Sequence, residues 1–397
     1  MIKTRNKVPK LRFPEFDKEW KESKIDKIFD RVVNSVEVEK DKEYQQIGIR
    51  SHGKGIFHKD FVLGSDLGNK RVFWLEENLF IVNIVFAWEM AVAKTSMEEV
   101  GLIASHRFPM YKPKNDILDL DFIHYFFLRK KGKYILELAS PGGAGRNKTL
   151  GQNEFAKSKV VIPQSISEQQ KIASILTAVD AKIEQLAKKK SLLEQYKKGV
   201  MQQIFSKQLR FKDENGNNYT EWVTKKLGDI VDCLDCFRKP LNGGERNKIQ
   251  GIYPYWGANN IMGYINDFIF DETVVLLAED GGNFNEFSTK PIANISYGRC
   301  WVNNHTHVLR GKKDLMLNEF LFYSLVHKDI TGFVSGGTRS KLIKSEMLKI
   351  KLKKPSIEEQ TQIANFLSSI DAKIELVNTQ IGNTQKFKKG LLQQLFV

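Results

Sequence analysis

Only three cysteines stand in 397 residues, and so sparse and odd a set cannot build the disulfide framework of a small secreted protein. Cys233 and Cys236 form one CxxC, and Cys300 with His305 or His307 would complete four zinc ligands. The spacing is irregular and the first half has no counterpart, so free thiols and no metal site are expected. Long hydrophobic runs are missing as well. The greasiest stretch, 79–93, is broken by Asn83 and Glu89 and falls short of the roughly 18 residues that span a bilayer. The opening "MIKTRNKVPKLRF" is charged throughout, unlike the apolar core of a secretory signal. These features predict a cytoplasmic protein with no membrane partner.

Catalytic sets are equally scarce. "GGAGRNKT" comes within one residue of the phosphate-binding loop GxxxxGK[ST], but Asn147 replaces the glycine before Lys148, which removes the NTPase reading. No GxGxxG, no HExxH and no Asn-Pro dipeptide occur, so dinucleotide binding, zinc proteolysis and amino-methylation all lack their parts. The histidines are scattered. His124, in "DFIHYFFLRK", reads as a packed helix residue. Nothing assembles into nucleophile, base and orienting group.

What the chain does have is positive charge and repetition. A formal net charge of +15 implies attraction to a polyanion such as nucleic acid, although a solvated lysine-rich surface would give the same total. The stretch "EQQKIASILTAVDAKIEQL" returns 191 residues later as "EQTQIANFLSSIDAKIELV". Over 168–206 and 359–397 the two copies share 16 of 39 positions without a gap.

Apolar residues in the first copy fall at Ile172, Leu176, Val179, Ile183 and Leu186, and in the second at Ile363, Leu367, Ile370, Ile374 and Val377. That is a heptad seam on each of two long helices. Further on the seam passes through Leu193, Tyr196, Val200 and Ile204, matched by Phe387, Leu391 and Leu395. Each stripe needs a partner, and the other copy supplies it. "LRF" at Leu11 also returns at Leu209, "EWKESKIDKIFD" resembles "EWVTKKLGDIVD", and "GGAGRNKTL" resembles "GGTRSKLI". The chain therefore reads as a tandem duplication of a globular module followed by a long helix. The second helix ends without its "LRF", which sits at the amino terminus, as if a circle had been cut open there. That order predicts two antiparallel helices, pseudo-two-fold symmetry and neighbouring termini. Between the helices the modules diverge into β-branched and aromatic runs with Gly and Asn turns, predicting short strands with a few helices, an α+β class.

With these features in hand the chain resembles the specificity subunits of type I restriction-modification systems. The resemblance rests on "IPQSISEQQKIASILTAVDAKIEQL", "KPSIEEQTQIANFLSSIDAKIELV", "KKGVMQQIF", "KKGLLQQLF", "AWEMAV", "SHRF" and "YPYWGANNIMGYI" in their tandem order. It implies a non-catalytic DNA-binding subunit with two mixed α/β target recognition domains, 1–162 and 207–354, separated by an antiparallel coiled coil of two spacer helices, 163–206 and 355–397. Each domain would read one half of a split double-stranded target. Two methyltransferase subunits would dock on the helices, restriction subunits would join through them, and S-adenosylmethionine, ATP and Mg2+ would be held by those partners rather than by this chain. Apolar positions left off the seam, Ile175, Leu192, Met201, Phe366 and Leu392, are the expected docking residues.

Base reading requires Arg, Asn, Gln, His and apolar side chains on loops. In module one these are Arg50, His52 and Lys54 in "IRSHGKG", His106 and Arg107 in "SHRF", and Arg146, Asn147 and Lys148 in the glycine-rich loop. In module two they are Tyr255, Trp256, Asn259 and Asn260, then Arg299, Asn303 and Asn304, and finally Arg339 and Lys341. Two other readings remain at this point: a coiled-coil scaffold with non-specific nucleic-acid binding, and an autonomous nuclease, which the missing catalytic set disfavours.

Overall fold

The architecture comes from a computed structural model, which describes residues 7–114, 116–142, 148–336 and 340–397. The chain divides into two compact units, Met1–Ala187 with Thr379–Val397, and Lys188–Asn378.

In the first unit one sheet has the order Phe29–Val32, Met110–Pro113, Phe80–Val82, Val92–Lys94, antiparallel throughout. A second has the order Ile56–Leu63, Glu43–Ile49, Ile103–Ser105, Val72–Trp74. One of its junctions, Glu43–Ile49 with Ile103–Ser105, is parallel. A ribbon of Lys21–Lys24 with Lys159–Ile162 ties the start of the module to its end.

The second unit repeats this strand for strand. Its sheets are Val231–Cys233, Thr306–Gly311, Val274–Ala278, Ala293–Ser296, and Ile261–Ile265, Gln250–Trp256, Arg299–Val302, Phe270–Asp271. The parallel junction recurs between Gln250–Trp256 and Arg299–Val302, and the closing ribbon between Val223–Lys226 and Lys351–Lys354. Sequence that has diverged nearly everywhere thus keeps one topology. The reason is visible in the central strands: Phe80–Val82 and Val274–Ala278 are apolar at every position and buried along their whole length, which only an interior strand covered on both faces can be.

The repeated sequence forms two long helices, Ile166–Phe205 and Ile357–Gln394. In the first unit Ile172 and Leu176 share a core with Leu391, Leu395 and the aromatic helix Leu120–Phe127. In the second, Val200 and Ile204 share one with Ile363, Leu367 and the matching helix Asn318–Leu325. The paired helix segments run antiparallel, as Lys190 to Asn378 and Lys197 to Asp371 demonstrate in the second unit.

Each long helix begins in the same way. Ser165 and Ser356 cap the N–H groups of Glu168 and Glu359 at 3.4 Å. The two carboxylates are buried and turned to other partners. Glu168 accepts from Arg12 Nε (2.8 Å), Arg12 Nη2 (2.9 Å) and Trp20 Nε1 (3.1 Å); Glu359 accepts from Arg210 Nε (3.2 Å), Arg210 Nη2 (3.0 Å) and Trp222 Nε1 (3.0 Å). The repeated "LRF" and "EW" motifs are therefore the two ends of one buried clamp.

The cut circle also closes. The Leu11 N–H donates to the Gln394 carbonyl at 2.9 Å, and the Leu209 N–H donates to the Gln203 carbonyl, one repeat earlier, at 3.0 Å. In the first unit this bond joins chain segments from opposite ends of the sequence.

The seam departs from expectation at one step. Tyr196 and Phe387, expected on it, are 53% and 58% exposed. Their neighbours Lys197 and Lys388 turn inward instead, bonding Asp371 (2.5 Å) and Asp180 (2.7 Å). Both carboxylates also accept from a tyrosine of the packed helix, Tyr323 (2.7 Å) and Tyr125 (2.8 Å), and each lysine lies over that ring, at 5.2 and 5.4 Å. Burial and these carboxylates push both phenols well above the usual tyrosine range. The local unwinding that shifts an apolar stripe thus turns a half-buried lysine toward the packed helix and an aromatic ring out.

Candidate nucleic-acid interface

In the first module the singled-out loops converge. His52 and Gly53 take left-handed backbone, φ 62° and 65°, so the chain turns tightly after Ile49. Their N–H groups donate to the carbonyls of Glu89 (2.7 Å) and Met90 (3.0 Å), and Ser51 Oγ donates to the Glu89 carboxylate. Lys148, where the glycine-rich segment re-enters the described residues, lies 5.7 Å over the Trp88 ring, and the Leu150 N–H reaches the Ile84 carbonyl. The Ile84 N–H in turn reaches the Arg107 carbonyl. Arg50, His52, Lys54, His106 and Arg107 are all exposed, and Lys148 is half-buried. Arg50 spreads its guanidinium over Phe57 at 4.6 Å. Arg146 and Asn147 lie outside the described residues.

The second module builds the corresponding cluster from different side chains. The Asn303 N–H donates to the Trp256 carbonyl and Thr306 Oγ1 to that of Gly257. Asn259 Nδ2 donates to the Gly281 carbonyl at 3.0 Å. The Glu279 N–H reaches His305, and the segment after the glycine-rich loop is held by Gly281 to Ser340 and Leu342 to Glu279 bonds. The step from Ile84 to Arg107 in module one has its counterpart in Glu279 to His305.

Several of the expected readers serve this scaffold instead. Tyr255 is 1% exposed, and its hydroxyl is taken up by the backbone N–H and carbonyl of Leu241; it is a core residue. Asn303 is 5% exposed and caps the His305 N–H. Trp256 is half-buried and donates to Ser296 Oγ. Arg299 stays exposed, but Tyr253 and Asp271 occupy its fork and raise its pKa, and its guanidinium stacks on Phe268 at 4.6 Å. Asn260 and Asn304 are exposed loop residues and Asn259 is half-buried. Lys341 is about half exposed and pairs with Glu279 at 3.4 Å. Arg339 lies outside the described residues.

Sequence reasoning missed the ionic node beneath this cluster. His307, 1% exposed, bonds Asp235 through Nδ1 (2.6 Å) and faces the Leu342 carbonyl through Nε2 (2.8 Å). Arg238 bonds Glu279 at 2.5 Å. Burial alone would raise the Asp235 pKa, but His307, the Val308 N–H and Arg238 outweigh it and hold the carboxyl below its ordinary value. Cys233, Asp235 and His307 each bring one ligand atom within 4.8 Å of the others. Asp235 and His307 are bonded to each other, and burial pushes the Cys233 thiol up. Cys300 is fully buried in the sheet core and Cys236 is exposed, and neither belongs to that group. His124 packs into its helix, and burial pulls its pKa down to about 4.

Of the expected docking residues, Leu192 is 55% exposed. Leu392 lines an open groove with Tyr134 and Lys389 in the first unit. Ile175 and Phe366 are half-buried against their cores. Met201 is a correction: at 8% exposure it belongs to the core of the second unit. Tyr196 and Phe387, which the heptad pattern assigned to the seam, face outward instead.

The model of the type I restriction modification DNA specificity domain matches residues 17–195 and again 219–384. A Haemophilus influenzae protein assigned as a type I restriction enzyme specificity subunit is 33% identical over 153 residues, 38% of this chain and 37% of the relative. The specificity subunit of the type I restriction enzyme MjaVIII from Methanocaldococcus jannaschii is 30% identical over 207 residues, 48% and 46%. The chain thus matches less than half the length of either relative. The crystal structure of the S subunit of a type I restriction-modification system from M. genitalium has the same fold, with a TM-score of 0.64 at 18% identity over 98% of this chain and 99% of that one. No helix among the described residues is long and apolar enough to cross a membrane. With the matched domain covering most of the chain in two successive copies, each on its own copy of one strand order, the protein belongs to the type I restriction-modification DNA specificity family.

Proposed function

We propose that this chain reads a bipartite double-stranded DNA target and directs methyltransferase and restriction subunits to it. Residues 1–162 and 207–354 act as the two target recognition domains, one per half-site, and 163–206 and 355–397 as the spacer helices. The observation that carries this reading is the pair of loop clusters: one strand order presents two different sets of polar side chains. A shared frame with unlike readers suits a split target whose halves differ.

Affinity comes from lysines and arginines neutralising phosphates, consistent with the net charge of +15, and falls steeply with salt. Specificity comes from side chains that reach base edges. The chain contributes no chemistry of its own. S-adenosylmethionine, ATP and Mg2+ belong to the partner subunits, of which two methyltransferases dock per chain. Tyr196 and Phe387 support that stoichiometry, being equivalent exposed aromatics on the two helices, and exposed aromatics are frequent anchors of interfaces.

The test exchanges residues 1–162 for the corresponding module of a relative and sequences modified bases in cells carrying the methyltransferase. One half of the methylated motif is expected to change while the other stays. Change in both halves, or in neither, refutes the modular reading.

A further inference from the structure

A cleft of about 310 Å³ opens in the first module beside the "SHRF" turn. It lies next to the loop cluster, but three of the residues that line it, Gln46, Lys59 and Lys70, come from outside those loops.

Its charge is one-sided. Lys59, Lys70 and Arg107 line it, and no acidic residue does. Other lysines of this unit are paired, as Lys94 is with Asp121 and Lys114 with Asp30. Among the described residues none of the three cleft cations has a side-chain ion pair or hydrogen bond. Cations left unpaired around one concave surface mark a place for an anion.

Its polar floor is built. Asn83 is 8% exposed, and its Oδ1 is consumed by the Val85 N–H at 3.1 Å. That leaves the Nδ2 donor without a partner among the described residues. Gln46 sits at an irregularity of the sheet: Gln45 pairs with Phe61 but Ile47 pairs with His58, so Lys59 and Asp60 together oppose the single residue Gln46. Gln45 Nε2 braces this bulge by donating to the Lys59 carbonyl at 2.9 Å. A bulge re-aims side chains that a regular ladder would alternate, and here it puts Gln46 and Lys59 in one cleft. The Gln46 amide, with a donor and an acceptor, has no protein partner among the described residues. Phe86, 36% exposed, adds an apolar wall.

We propose that this cleft is where the first module reads its half-site: Gln46 and Asn83 bond a base edge, while Lys59, Lys70 and Arg107 hold the flanking phosphates. The inference rests on the DNA-reading function above and adds Gln46, Lys59 and Lys70, from outside the loops, to Asn83 and Arg107. A glutamine amide matches the N6/N7 edge of adenine, which makes an A·T pair the preferred partner of Gln46.

The experiment measures binding of the full chain, assembled with its methyltransferase, to duplexes carrying the methylated motif and every single-base variant of it. Lys59→Gln with Lys70→Gln should weaken binding alike for all sequences and lower the salt slope by roughly 2, one for each phosphate no longer neutralised. Gln46→Ala should reduce discrimination at one base pair of the first half about tenfold and leave the second half untouched. If the wild type discriminates in both halves but these variants keep its salt slope and base preferences, the cleft assignment is wrong and the recognition reading stands. If the wild type discriminates in neither half, the recognition reading falls and the cleft assignment with it.

Discussion

Replacing Arg12 by alanine tests whether the clamp at the start of each long helix acts through charge. Glu168 has only 2% side-chain exposure and takes both prongs of the Arg12 fork, at 2.8 and 2.9 Å, with one further bond from Trp20. Removing the arginine strands a buried carboxylate with a single neutral donor, a lesion that costs about 3–5 kcal/mol. Glu168 stands in the first helical turn, where the helix dipole favours a negative charge, so the lower end is expected. Glu168→Gln keeps an acceptor of the same shape and should cost about 1–2 kcal/mol. The double variant should then be more stable than Arg12→Ala alone, because the stranded charge has gone. The assay is urea unfolding followed by tryptophan fluorescence, with the slope checked for constancy. Arg210→Ala probes the equivalent Glu359 clamp of the second unit. A double variant as unstable as Arg12→Ala, or less stable, would refute the charge argument and leave lost packing as the cause.

Two more outcomes follow from particular residues. Burial pulls the His124 pKa down to about 4 in the folded first unit, against about 6.5 unfolded; the unfolded chain therefore takes up the proton first, and stability is lost as pH falls from about 6.5 to about 4, by at most about 3 kcal/mol. His124→Phe should flatten that loss in urea midpoints measured between pH 7.5 and 4, and equal losses in both proteins would count against it. Tyr196→Ala and Phe387→Ala should change unfolding free energy by no more than about 0.5 kcal/mol yet weaken capture of the methyltransferase tenfold or more, about 1.4 kcal/mol; pull-down at graded concentrations reads this, and unchanged capture would remove these rings from the interface.

Much of the fold was legible because its signals are local. Heptad spacing is a property of consecutive residues, so both helices could be read from Ile172, Leu176 and their counterparts, and the repeat itself named the partner. The loop clusters were legible as regions, since Gly, Asn and His mark turns by their own backbone preferences, as His52 and Gly53 do. Individual readers were not. Tyr255 and Asn303 have the right chemistry, but whether a side chain faces solvent depends on what packs above it, and here the backbone of Leu241 and the turn at His305 claim them.

The sequence alone determined the duplication, the two helical stripes, their antiparallel pairing and the strand-rich character of the modules, because periodicity and repetition are written in neighbouring residues. Tertiary structure alone decided which lysine turns inward beside Asp180 and Asp371, which aromatic turns out, and which strand residues share the cleft beside His106. Those choices depend on the register between distant segments: a one-residue bulge at Gln46 or a four-residue step at Tyr196 redirects side chains, and only the packed partner shows which way.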